Sequence, residues 1–225
     1  MNDAMDRRAR VFDELAVVGK AFGSAKRLEL VDLLAQGERT VEGLARAAGM
    51  GVSTVSAHLQ VLKLANLVQT RREGTKVHYR LAGDDVAQLF DAMTSVARHR
   101  SADVDQALRA YLDLPGGGAV GLVSREELGR LIEDETVTLL DVRPSEEFVA
   151  GHIPGAISAP LETLMLRADG LRGSSCVVAY CRGSFCVMAH DAVRLLGGEG
   201  VSALRLEDGM LEWRTHGHPV EIGAA

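Results

Sequence analysis

Through residues 1–112 apolar side chains return every three or four positions. This spacing predicts helices at Met5 to Phe22, Ser24 to Ala35, Val41 to Ala48, Ser53 to Ala65 and Asp84 to about Leu112. Gly37, Gly49 and Gly51 mark the breaks between them. Two runs alternate instead, Leu67 to Arg72 and Lys76 to Leu81, and they flank Glu73-Gly74-Thr75, which predicts a β-hairpin before the last helix. Past residue 120 short apolar runs alternate with helical ones. Strands are predicted at Val137 to Val142, Val177 to Tyr180 and Val201 to Leu206, and helices near Glu146 to Ala150 and from Phe185 to Leu196. A further helix starts at Ser124, where Ser124 and Glu127 form a capping box. That alternation predicts an α/β domain built on a parallel sheet covered on both faces. Between the two patterns lies Leu114-Pro-Gly-Gly-Gly-Ala119, and three consecutive glycines are costly inside any regular element. The expected organisation is a mainly α domain at 1–112, a linker at 113–120 and an α/β domain at 121–225.

Charge separates the same two parts. Residues 1–100 carry 15 Lys and Arg against 12 Asp and Glu, a net +3, and residues 101–225 carry 10 against 19, a net −9. A mildly basic part beside an acidic one fits a local nucleic-acid footprint, because phosphate attraction needs positive charge only at the contact face. Hydrophobic residues make up 47% and charged residues 25% of the chain, the composition of a protein folded throughout. No apolar stretch approaches the roughly 20 residues of a membrane helix, and MNDAMDRRAR has no apolar signal core. A cytoplasmic protein without a membrane partner is expected. All three cysteines fall at 176, 181 and 186, which is clustered chemistry and not a disulfide framework.

The segment from Leu44 to Leu62 (LARAAGMGVSTVSAHLQVL) is a helix, a glycine turn and a second helix, with small residues where two helices would cross. Val55, Leu59 and Leu62 form the expected buried stripe. Ser53, Thr54, Ser56, His58 and Gln60 are left for the exposed face, where hydroxyl, imidazole and amide groups suit base edges and phosphates in a major groove. The hairpin adds Arg71, Arg72, Lys76 and Arg80 for phosphate contacts, with Glu73 opposing them. Together with Leu28 to Leu34 and the Val77-His-Tyr-Arg-Leu81 strand, this part resembles the ArsR/SmtB family of winged helix-turn-helix repressors over roughly residues 10 to 110. The resemblance implies a homodimer built by the first and last helices, a repressor's function, and double-stranded operator DNA as partner. It does not carry over metal sensing. The helix at Thr40 to Ala45 has no cysteine, and Asp91 and His99 lack a matching second pair, so no metal site and no cofactor are expected.

In Val177-Val-Ala-Tyr-Cys-Arg-Gly-Ser-Phe-Cys186, Cys181 stands where an apolar strand ends, before a short loop and a helix. A loop curling into a helix N-terminus turns N–H groups inward, and their positive potential is expected to favour a thiolate there, with Arg182 adding charge. Leu140 to Ala156, containing Asp141, Arg143 and His152, and Glu207 to Trp213 bracket this loop, and the three motifs together resemble the rhodanese family over most of residues 122 to 220. The resemblance implies a loop of Cys181, Arg182, Gly183, Ser184, Phe185 and Cys186 in which Cys181 accepts sulfane sulfur as a persulfide, and a small-molecule sulfur donor or thiol acceptor as partner. Asp141, Arg143, His152 and Trp213 are expected to be structural. Cys186 falls near a position where many single-domain rhodaneses carry arginine, which weakens the case for thiosulfate turnover. It also leaves open a bridge from Cys181 to a second thiol. Phosphate ester chemistry is not expected, since position 187 is Val where a Cys-x5-Arg loop needs its arginine. Two readings stay open: a regulator whose rhodanese-like domain senses or processes reactive sulfur, and a sulfurtransferase that uses its DNA-binding module only for placement.

Overall fold

The computed structural model describes residues 2–112 and 120–224, so the tether expected at 114–119 lies outside the described residues. The chain divides into two compact units, Met1–Phe90 and Asp91–Ala225.

In the first unit α1 (Asn2–Phe22) and α2 (Ala25–Ala35) precede α3 (Val41–Ala47) and α4 (Val52–Leu64). Thr40 caps α3 by accepting a hydrogen bond from the Gly43 N–H at 3.1 Å. Gly49 takes φ +60°, a conformation open to glycine at little cost, and so lets α3 turn into α4. Leu30, Val31, Leu44, Val55, Leu59 and Leu62 are fully buried where these helices cross, each stabilising the unit by about 1.5–3 kcal/mol. The expected stripe of Val55, Leu59 and Leu62 is the core face of α4. β2 (Val68–Glu73) and β3 (Lys76–Leu81) pair antiparallel around Gly74 at φ +59°. A two-residue strand, β1 (Arg39–Thr40), joins the far side of β3, giving the order β1-β3-β2.

The last helix expected in this part is two. α5 (Asp84–Arg100) begins in the first unit and continues into the second, and α6 (Ala102–Leu112) follows. Ser101 ends one and starts the other: its N–H closes the last turn on the Ala97 carbonyl, and its own carbonyl accepts from the Val104 N–H. Serine at a helix start is common because it competes with helical bonding elsewhere.

The second unit holds a five-stranded parallel sheet in the order β4-β8-β7-β5-β6. These are β4 (Leu122–Val123), β5 (Thr138–Asp141), β6 (Ile157–Ser158), β7 (Val177–Tyr180) and β8 (Ala203–Leu206). α9 (Ala168–Leu171), entered from a 3-10 turn at Leu164–Arg167, and α10 (Met188–Gly198) cover one face, with Leu164, Leu171, Ala192 and Leu196 in its core. α7 (Arg125–Glu133), α8 (Ser145–Ala150) and α11 (Met210–Thr215) bring Leu128, Phe148, Met210 and Trp213 to the other. The Ser124 cap is present, its Oγ accepting from the Glu127 N–H at 3.2 Å. From β5 the chain runs outward to β6, and from β7 it runs the other way to β8. The carboxyl ends of β5 and β7 therefore flank the switch point where open α/β sheets place their sites.

Candidate functional site

On the first unit, the polar face of α4 and the hairpin form the candidate nucleic-acid surface. Ser53, Thr54 and Gln60 are exposed, and Ser56 and His58 are half-buried. Gln60 donates to the Tyr79 hydroxyl at 3.3 Å, which ties α4 to the hairpin and takes one of its amide hydrogens. Arg71, Arg72, Lys76 and Arg80 are all exposed. Arg80 donates to Gln69 Oε1 at 2.7 Å. Arg71 is held by two carboxylates, Glu38 at 2.6 Å and Glu73 at 2.9 Å, with His78 within 3.7 Å of both. Reading along the hairpin finds Glu73 and misses Glu38, which stands beside Arg71 only because β1 pairs with β3 and places Thr40 opposite His78.

In the second unit every residue of the expected sulfur loop is gathered behind β7. The Gly209 turn cradles it: the Met210 N–H donates to the Cys181 carbonyl and the Leu211 N–H to the Arg182 carbonyl, both at 2.9 Å. A side chain at 209 would collide with the Gly183 nitrogen and with the Cys181 carbonyl at 2.6 Å, so this approach requires glycine. Glu212 locks the turn from below. Its Oε1 accepts from the Ser184 N–H at 3.0 Å and the Ser184 hydroxyl at 2.9 Å, and its Oε2 from the Gly209 N–H at 3.0 Å. Burial raises the Glu212 carboxyl above its ordinary value against those hydrogen bonds. Arg182 turns to Glu147 on α8, with contacts at 2.6 and 3.0 Å, and Glu147 is 1% exposed. Ser184 also accepts from Arg98 on α5 at 3.3 Å, and Thr215 on α11 donates to Asp91 on α5 at 2.7 Å. Gly209, Glu212 and Glu147 are functional supports that periodicity does not mark.

The framework residues are buried and bonded within the second unit. Arg143 is fully buried, bonded to both oxygens of Asp141 and, at 2.7 Å, to the Gly151 carbonyl. His152 stacks on Phe148 with ring centres 3.7 Å apart and holds the Phe148 carbonyl at 2.9 Å. Trp213 is core, its N–H donating to the Pro219 carbonyl at 2.7 Å.

The two loop cysteines differ in a way the sequence pattern does not anticipate. Cys181 is 1% exposed, and burial pushes its thiol well above the ordinary cysteine value, opposite to the expected thiolate. Cys186 is half-buried and its thiol is lowered, first by the hydrogen bond from the Cys181 thiol and then by the Met188 and Arg182 N–H groups and the Arg182 charge. The Arg182 guanidinium thus serves the loop while anchored to Glu147. A cavity of about 510 Å³ opens past the carboxyl ends of β5 and β6, lined by Val142, Ser145, Glu146, Ser158, Arg167 and Met188.

Comparison with known proteins agrees with both units. The rhodanese-like domain family matches residues 124–216, and the arsR family of bacterial regulatory proteins matches residues 24–70. The HTH-type transcriptional regulator Rv0324 of Mycobacterium tuberculosis is 51% identical over 219 residues, covering 97% of this chain and 95% of its own length. The chain belongs to the arsR family of bacterial regulators. Like that relative in length, it is a DNA-binding transcriptional regulator, and it carries a C-terminal rhodanese-like domain. A sulfurtransferase of Allochromatium vinosum is 32% identical over 92 residues, 40% of this chain and 84% of its own. Among solved structures, the homodimeric winged helix-turn-helix DNA-binding domain of a possible ArsR-family regulator from Mycobacterium bovis is 51% identical. It covers 44% of this chain and 91% of that one with a TM-score of 0.41. Among the described residues no helix is long and apolar enough to cross a membrane.

Proposed function

We propose that this regulator is a cytoplasmic repressor that holds operator DNA as a homodimer and releases it when sulfane sulfur reaches the loop that begins at Cys181. The observation that carries this reading is the loop itself: two free cysteines between the end of β7 and the start of α10, in one chain with a polar recognition helix and a basic wing. Backbone N–H groups in such a loop stabilise anionic sulfur without a metal. A second copy would cover Val11, Phe12 and Leu15 on α1 and Leu89 on α5, all large apolar side chains exposed in the single chain. Within the second unit the loop is bonded to α5 through Ser184 and Arg98, which gives a change of loop shape a route into that helix.

The test is anisotropy on DNA from upstream of the protein's own gene, with reduced protein and after glutathione persulfide, for wild type and Cys181→Ser. Persulfide is expected to weaken wild-type binding by about 5- to 150-fold, the usual span of an allosteric coupling, and to leave Cys181→Ser unchanged. Equal responses from the two proteins, or sulfur uptake with constant affinity, would sink the reading. The alternative of a sulfurtransferase with a DNA address draws on the Allochromatium likeness. Against it stands the burial of Cys181, which pushes its thiol above the ordinary cysteine value and so disfavours the thiolate. Multiple turnover of persulfide to an external thiol would favour that alternative.

A further inference from the structure

We infer that sulfane sulfur enters at Cys186, and that Cys181 then closes onto Cys186 as an intrachain disulfide, releasing hydrogen sulfide. The inference rests on the reading that this loop takes up sulfane sulfur, and it assigns the order of events and the product.

Access is the first argument. Cys181 directly follows β7, inside the apolar core formed with Ala179, Ala189 and Leu196. Cys186 lies only partly under that core, next to Phe185, which is 39% exposed at the rim of the loop. A donor in solution therefore meets Cys186 first.

Hydrogen bonding is the second. The loop's own donors are spent away from Cys181: the Ser184 N–H goes to Glu212 and the Cys186 N–H to the Gly183 carbonyl at 3.0 Å. Ala189 supplies Cys181 with one N–H. At Cys186 the neighbouring Met188 and Arg182 N–H groups favour the thiolate. Cys181 in turn points its S–H at the Cys186 carbonyl, 3.3 Å away. Cys186 is thus the sulfur that backbone N–H groups support, and Cys181 is the proton-bearing thiol beside it. A nucleophile and a proton-bearing partner are thus already side by side.

The chemistry balances without an external oxidant. The Cys186 thiolate attacks the outer sulfur of a low-molecular-weight persulfide, R–S–S–H. The donor's S–S bond breaks, R–S⁻ leaves, and Cys186 carries S–S–H. Cys181 then attacks the Cys186 sulfur, that S–S bond breaks, and the departing hydrosulfide takes the Cys181 proton and leaves as hydrogen sulfide. The two thiols are oxidised to a disulfide and the sulfane sulfur is reduced to sulfide.

The experiment treats the reduced full chain with one equivalent of glutathione persulfide under anaerobic conditions and follows intact mass, free thiols and sulfide. Wild type is expected to lose the mass of two hydrogens and two of its three thiols, leaving Cys176 free, with one sulfide released per chain. Cys181→Ser and Cys181→Ala should instead keep one added sulfur, mapped to Cys186. Cys186→Ser should take up sulfur about 10-fold or more slowly, as loss of the thiolate requires. A lasting added sulfur on Cys181 of the wild type, or wild-type uptake rates in Cys186→Ser, would overturn the inference. The same samples on DNA separate it from the regulatory reading: a bridge that forms while affinity stays constant removes the regulation and leaves the bridge. Lost affinity with the sulfur resting on Cys181 does the reverse.

Discussion

The wing and the framework behind the sulfur loop each hold an arginine paired with carboxylate, in settings that give the pairs opposite uses. Arg71 bonds Glu38 at 2.6 Å and Glu73 at 2.9 Å with its side chain 52% exposed. Arg143 bonds Asp141 at 2.5 Å with nothing of either side chain exposed. The distances are alike and the solvent is not. Water screens the wing pair, so its partners exchange readily and a phosphate can replace a carboxylate. In the framework neither charge has water to fall back on, so the pair holds the turn after β5 in one shape. The regulator thus keeps exchangeable charge on its wing and locked charge in the framework behind the cysteine loop.

The largest effect expected from this contrast follows from removing the locked arginine. Arg143→Ala leaves the Asp141 carboxylate buried without its partner and frees the Gly151 carbonyl, a change that costs about 3–5 kcal/mol in comparable buried pairs. Urea unfolding of the full chain, followed in the near-ultraviolet through Trp213 in that same unit, should show a transition at much lower urea. An unchanged midpoint would mean that the framework does not depend on the pair.

The next effect belongs to the wing. Arg72→Ala and Lys76→Ala each remove one exposed cation and should leave the unfolding midpoint alone. Each should flatten the dependence of log affinity on log salt by about 0.9, the value for one lost phosphate contact on duplex DNA. A change in preference among DNA sequences without a change in that slope would instead place the side chain on a base edge.

The same contrast explains what could be read before the fold was seen. The recognition helix was legible because exposed chemistry sits on a regular period: Val55, Leu59 and Leu62 fix the inner face, and Ser53, Thr54 and Gln60 follow on the outer one. The sulfur loop was legible as a strand, a cysteine and a helix start. Two-residue strands such as β1, β4 and β6 have no period to detect, and the break at Ser101 lies within one unbroken helical pattern. The proton order of the two cysteines was illegible for a different reason. It depends on how deeply the fold buries Cys181 and on where Glu212 draws the Ser184 N–H, and Glu212 reaches the loop only once α11 packs against it.

The smallest effect is the sharpest test of exchange in the wing. If Glu38 competes with phosphate for Arg71, then Glu38→Gln should not weaken DNA binding but strengthen it, because Arg71 would reach the backbone without first leaving a carboxylate. Glu73 still opposes it, so the gain should be partial. The salt slope should steepen by at most about one contact's worth, and the gain in affinity should shrink as salt rises and all exposed charge is screened. The unfolding midpoint should barely move, since an exposed ion pair contributes little to stability. Anisotropy at several salt concentrations reads both quantities at once. Weaker binding by Glu38→Gln would mean that Glu38 positions Arg71 for the phosphate, and that the wing pair is locked in the same sense as the pair behind the sulfur loop.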